Sequence, residues 1–196
     1  MINPSHFSDQ LKRVAIAIAV LGGIGGLAAW GLQADPVQEL AEQLQDPDTE
    51  QRYKAAKALE DLGPNAKEAV GALAQSLTDD DPRVRYRSAK ALAKMEELAT
   101  PALTALSIGL SDSERDVRYY CAKTLYKIGE EAEPARDAVV AALFDEDADI
   151  RRYLVKALSD IGEEHEPSMK AVAKLLNDPD PEVREAAREA LEDMQD

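Results

Sequence analysis

The sequence predicts an all-α solenoid. Three observations carry that prediction: a unit that recurs five times, two helical stripes in each unit, and no segment that reads as a strand. Steps of 33 residues from Arg52 meet Arg85, Arg118, Arg151 and Arg184. The same steps connect Leu59, Leu92, Leu125, Leu158 and Leu191. They connect Asp46, Asp79, Asp112, Asp145 and Asp178, and also Leu44, Leu77, Leu110, Leu143 and Leu176. Four positions are thus filled identically in every copy, with no insertion between copies.

Within a unit the first stripe is Val37, Leu40, Ala41 and Leu44 in copy one, and Val70, Leu73, Ala74 and Leu77 in copy two. The i, i+3, i+4, i+7 spacing puts these side chains on one side of a helix, here termed helix A. The second stripe, helix B, is Val84, Ser88, Ala91, Leu92 and Met95. Acidic turns join the two, such as Asp79-Asp80-Asp81-Pro82 and Asp178-Pro179-Asp180-Pro181. Asp81-Pro82 and Asp180-Pro181 pair an N-capping carboxylate with a proline at the first helical position. Gly63, Gly129 and Gly162 are placed to close helix B, and Pro101, Pro134 and Pro167 to restart helix A. The last helix carries Glu185, Glu189, Glu192 and Asp193, a polar outer surface suited to a terminal cap. Cys121 shares its repeat position with Ala55, Ser88, Leu154 and Ala187, which predicts a small packed side chain.

The segments VRYRSAKAL, VRYYCAKTL, IRRYLVKAL and VREAAREAL resemble the second helix of HEAT repeats, in the short variety of phycobilisome-lyase-like proteins. The resemblance covers residues 36–196. It implies a right-handed α-solenoid of five two-helix repeats, with helix B lining the concave surface. It also implies that the turn aspartate and the helix-B arginine bond between neighbouring repeats as a ladder. The ankyrin TPLHxA motif and the tetratricopeptide pattern are absent.

Ahead of the repeats, residues 14–32 form an apolar run with no charged side chain. At about 1.5 Å per residue it spans roughly 28 Å, close to a hydrocarbon core. Lys12 and Arg13 precede it, whereas Asp35 and Glu39 follow, so the positive-inside rule keeps residues 1–13 cytoplasmic and the repeats on the periplasmic or lumenal side. Ala15, Ala19 and Gly23, with Gly22 and Gly26, make small-residue rows suited to close helix packing in a membrane. Two readings compete: a retained transmembrane anchor, and a signal segment cleaved after Ala34. The run exceeds the usual signal-peptide core, which favours the anchor.

The net charge of −15 argues against nucleic acid as a partner. The charge is unevenly spread, since 17 of the 23 lysines and arginines and all six tyrosines fall in helix B. With core and ladder positions set aside, the outward face of helix B carries Arg83, Tyr86, Arg87, Lys90 and Lys94 in repeat two. Repeat three adds Tyr119, Tyr120, Lys123 and Lys127, and repeat four adds Arg152, Tyr153 and Lys156. Tyrosine and arginine are enriched at binding hot spots, and lysines steer an acidic partner. Tyr126 falls off this pattern and is expected to pack or cap.

Catalytic and metal-binding signatures are sparse. His6 precedes the apolar run, and His165 stands in the acidic loop Glu163-Glu164-His165-Glu166, read as solvated. Asp145, Asp147 and Asp149 begin like a calcium loop, but Ile150 and Lys156 replace the glycine and the final glutamate. No cofactor, metal site or enzymatic activity is expected. The leading expectation is a membrane-anchored interaction scaffold, an accessory or assembly subunit of a larger membrane complex. The alternatives are a bilin-lyase-like chromophore-handling protein and a cleaved, soluble periplasmic adaptor.

Overall fold

The computed structural model describes residues 35–162 and 165–194, and every regular element among them is helical. Ten α-helices form five pairs: α1 (Pro36–Gln43) with α2 (Thr49–Leu62), α3 (Val70–Ser76) with α4 (Pro82–Met95), and α5 (Leu103–Gly109) with α6 (Arg115–Ile128). The series continues with α7 (Arg136–Ala142) and α8 (Ala148–Ile161), then α9 (Glu166–Lys174) and α10 (Pro181–Asp193). The segment at 14–32, with Ala15, Ala19, Gly22, Gly23 and Gly26, lies outside the described residues. Among those described, no helix is long and apolar enough to cross a membrane.

The caps explain why the even-numbered helices recur in register. Asp48, Asp81, Asp147 and Asp180 each accept a first-turn backbone N–H, at 2.9, 2.8, 3.2 and 2.8 Å. Such a bond satisfies one of the helix's orphan donors and is worth about 1 kcal/mol. Glu114 holds the same place in repeat three without a side-chain bond, its carboxylate being one methylene further out. At the other end, Gly63, Gly129 and Gly162 stop α2, α6 and α8 at φ of 54°, 70° and 63°. Repeat two makes the same exit at Glu96, with φ of 52°. A side chain there is strained by about 1 kcal/mol or more. Glu96→Gly is therefore expected to raise the denaturation midpoint, since it gives up only an exposed 4.0 Å contact with Lys127. A lowered midpoint would refute the strain.

Helix A is short, spanning little more than its apolar stripe. Three-ten segments at Gly63–Ala69, Glu96–Ala102 and Gly129–Ala135 separate the first three B helices from the helix A that follows. Pro101 and Pro134 sit inside those segments rather than at the start of α5 and α7, and Pro167 lies in the first turn of α9. Proline's missing N–H and fixed φ suit such a tight turn.

The predicted stripes are the core. Val84, Ser88, Ala91, Leu92 and Met95 are buried, as are Val70, Leu73 and Leu77, while Ala74 is half-buried. Burying a leucine contributes about 2 kcal/mol. The leucine series changes only at its last member: Leu44, Leu77, Leu110 and Leu143 are buried, but Leu176 is 40% exposed. Leu191, likewise last of its series, is half-buried. Both belong to the fifth repeat, and among the described residues no further repeat packs on α10 to cover them. Cys121 is fully buried, as its repeat position predicts, and burial pushes its thiol pKa up. It faces Gly109, where an added Cβ would lie 2.5 Å from the sulfur.

The aspartate–arginine ladder joins the repeats. Arg52 donates to both oxygens of Asp79 at 2.6 and 3.0 Å, and Arg85 does so to Asp112 at 2.7 and 3.1 Å. Arg118 pairs with Asp145 at 2.7 and 3.3 Å, and Arg151 with Asp178 at 2.8 and 2.7 Å. Each of these arginines also donates to the backbone carbonyl of the aspartate in its own turn, as Arg85 does to Asp79 at 2.9 Å. That aspartate in turn accepts the backbone N–H two residues on, as Asp79 does from Asp81 at 2.9 Å. One guanidinium thus locks two consecutive turns together. With the register so held, α2, α4, α6, α8 and α10 pack successively against one another and present one continuous face.

Candidate functional site

The face of the even-numbered helices carries the tyrosines and most of the basic side chains. Tyr86 and Tyr120 meet edge-on with ring centres 5.8 Å apart, and Tyr119 lies against Tyr120 at 5.1 Å and Tyr153 at 5.4 Å. Tyr153 continues to Tyr126 at 5.8 Å. The rings make one row across α4, α6 and α8, each half-buried against the core. Tyr126, which the spacing sets apart, is the end of this row. Tyr53 extends it onto α2 through Arg87, whose guanidinium lies 5.5 Å from the Tyr53 ring and 5.2 Å from Tyr86. Arg115 covers Tyr119 at 4.9 Å. Such cation–ring contacts contribute about 0.5–1 kcal/mol each at exposed sites. Pairing with the Tyr153 hydroxyl, and then burial, pushes Tyr119 up to about 12, and burial raises Tyr120 as well.

The basic side chains are not all free. Glu60 on α2 has a side chain only 5% exposed and stands among three cations of α4. Arg87 donates to it at 2.8 Å, and Lys90 and Lys94 each approach to 3.2 Å. Lys94 also donates to the Glu60 carbonyl at 3.1 Å. Burial alone would raise the Glu60 carboxyl, but the hydrogen bonds from Arg87, Lys90 and Lys94 outweigh it and hold the pKa below the ordinary range. Three positive charges therefore share one carboxylate, which leaves a surplus of two. Arg83 is paired with Asp81 at 2.9 Å and Glu50 at 3.6 Å, and Arg152 with Asp149 at 2.8 Å and with Glu182.

Lys123, Lys127 and Lys156 are the least engaged of the basic side chains singled out by the sequence. Lys127 comes no nearer than 4.0 Å to Glu96, and Lys156 lies 6.0 Å from the Tyr126 ring centre. Lys123 makes no ion pair among the described residues; with Lys94 and Lys127 it lines an open recess of roughly 660 Å³ beside Glu60. A second recess, roughly 340 Å³, lies between Tyr53, Arg83, Tyr86 and Arg87, with Glu114 and Asp116 at its rim.

Spacing arguments alone overlook Glu60. A usable signal exists, because Glu60 precedes Arg87 by 27 residues, the offset that separates each ladder arginine from its aspartate. His165 also differs from its expected solvated state. It is half-buried as the N-cap of α9, its Nδ1 facing the Ser168 backbone N–H at 3.3 Å and the Ser168 hydroxyl at 2.8 Å. That serine is fully buried, so the pair is a structural cap. No group of three metal-binding side chains forms among the described residues.

A stack of two-helix units tied by turn aspartates and helix-B arginines defines an α-solenoid of the HEAT class. The family model for HEAT repeats matches residues 37–108 and 103–192, and the chain belongs to that family. No curated protein matches it. Among solved structures, an engineered protein is 26% identical, with 82% of this chain and 79% of that one aligned at a TM-score of 0.65. A designed armadillo repeat protein in complex with the peptide (KR)4 is 17% identical over 98% of this chain and 95% of its own, with a TM-score of 0.69. The CpcE–CpcF complex of phycocyanin lyase from Nostoc sp. PCC7120 is 22% identical over 88% and 70%, with a TM-score of 0.62. These likenesses describe the fold, a solenoid of helical repeats.

Proposed function

We propose that this HEAT-repeat chain is a non-enzymatic scaffold that captures a protein partner on the concave face formed by its even-numbered helices. The surplus of positive charge on the tyrosine-lined part of that face carries the reading. Arg87, Lys90 and Lys94 share a single carboxylate, and Lys123 and Lys127 stand beside them with weak or no pairing. Half-buried tyrosines add amphipathic contact area at low entropic cost. Such a face favours an acidic surface on the partner. The apolar run at 14–32 would hold the scaffold at a membrane, with the repeats on the periplasmic or lumenal side, as an accessory or assembly subunit of a larger complex.

Of the basic residues, Lys123 and Lys127 are the ones to reverse, because Arg87, Lys90 and Lys94 also hold Glu60. The double variant K123E/K127E is expected to weaken capture of an acidic partner by tenfold or more. Its melting curve should stay close to that of the native chain. Pull-down from detergent-solubilised membranes with native and variant chains reads the difference. Equal recovery of the same partner by both would remove the acidic-partner reading.

A further inference from the structure

The charge on the even-numbered helices changes sign along the stack, and the change follows the repeat. One repeat position holds Asp61, Lys94, Lys127, Asp160 and Asp193, so it is basic in repeats two and three and acidic in repeats four and five. One turn earlier, Lys123 of repeat three corresponds to Glu189 of repeat five. Core and ladder hold these residues on one continuous face, so the centre of the face is basic and its C-terminal end acidic. The acidic end is as weakly compensated as the basic centre. Asp193 accepts a hydrogen bond from the Ser159 hydroxyl at 2.9 Å, and Glu189 makes no ion pair among the described residues. Partial burial and the nearby Asp193 charge raise the Asp160 carboxyl, while Lys156 opposes them. Between the two poles lie Tyr126 and Tyr153, in contact at 5.8 Å.

A uniformly acidic ligand laid along this face would gain against α4 and α6 and be repelled at α10. The reading that follows rests on the even-numbered helices being the binding face. We propose that the face takes an extended peptide segment of a partner protein that is itself bipolar, its acidic residues against Lys94, Lys123 and Lys127 and its basic residues against Asp160, Glu189 and Asp193. Packed helices lie about 8–10 Å apart, so the two poles are separated by roughly 16–20 Å. Extended chain advances about 3.3 Å per residue, which places the partner's acidic and basic groups about five to six residues apart.

The test is fluorescence anisotropy with the full-length chain in mild detergent and synthetic peptides of about ten residues. One peptide joins four glutamates to four lysines through a two-residue neutral spacer, which sets the block centres about six residues apart, and a second has the reverse order. A third carries glutamates at both ends. One of the two bipolar peptides is expected to bind about tenfold more tightly than the uniformly acidic one, with the advantage shrinking as salt is added. D160K/D193K should reverse that preference, and D160N/D193N should abolish it if the double reversal fails to fold. Equal binding of acidic and bipolar peptides, weakened alike by K123E/K127E, would overturn the bipolar partner while leaving the basic face intact. Absence of binding by every peptide would overturn both.

Discussion

Arg151→Met destabilises the protein by about 3–5 kcal/mol at pH 7, because it strands a buried carboxylate. Asp178 and Arg151 form the most buried rung of the ladder, with side chains 4% and 10% exposed. Burial on its own would raise the Asp178 carboxyl, but the hydrogen bonds from Arg151 more than compensate and hold it below the usual carboxylate range. A depressed folded pKa contributes stability that is complete above the unfolded value, near 3.9, and is lost as pH falls through the folded one. Without Arg151 the same carboxyl stays buried with the Asp180 backbone N–H as its remaining donor, and its pKa rises. Protonation then relieves the variant, so the gap between native and variant chains narrows on acidification from pH 7 towards pH 4. Denaturant midpoints across that range read the effect. A loss below 1 kcal/mol, or a gap that does not change with pH, would mean that the ladder does not hold the repeats together. The double variant Arg151→Met with Asp178→Leu should recover most of the loss, since paired apolar replacements of buried ion pairs are often neutral or stabilising.

Glu60→Gln is expected to cost about 2 kcal/mol, a figure reduced from the buried-pair range because its three cations are partly exposed. The substitution keeps the shape and removes the one charge that holds Arg87, Lys90 and Lys94 together. Two further consequences separate it from simple loss of packing. Added salt should rescue part of the variant's stability, since the uncompensated cations are reachable by anions. The native chain should also lose stability as pH falls below the unfolded glutamate value near 4.3 and through the lowered Glu60 pKa, and the variant should lack that contribution. The same change adds one positive charge to the face, so binding of an acidic peptide should strengthen while stability drops. A variant as stable as the native chain, with the same acid limb, would show that the cluster is a solvated surface group.

Much of this was legible in the sequence because a repeat reports the same structural fact several times. The helix-B stripe, the capping Asp81 and Asp180, the closing glycines and the aspartate–arginine partners all stand where the period places them. Features that break the period were not legible in the same way. Glu60 shares its repeat position with Ala93, Tyr126, Ser159 and Glu192, so no pattern marks it as buried or charged. Tyr126 falls off the tyrosine spacing, yet its ring reaches Tyr153 on the next helix because adjacent B helices lie side by side. Pro101 and Pro134 signal an interruption, but their backbone conformation depends on how tightly each helix B turns into the next helix A.

By itself the sequence determined the helical class, the number of repeats and their register, each from local spacing that recurs at every 33-residue step. The pairing of the recurring aspartates and arginines as a ladder came from the resemblance to HEAT repeats. Only the tertiary structure decided which basic residues remain available to a partner. That depends on distances between side chains of different repeats: a carboxylate on α2 takes up three cations of α4, while Lys123 on α6 finds none within reach among the described residues. Ion pairing acts over a few ångströms through space, and spacing along one helix does not measure that separation.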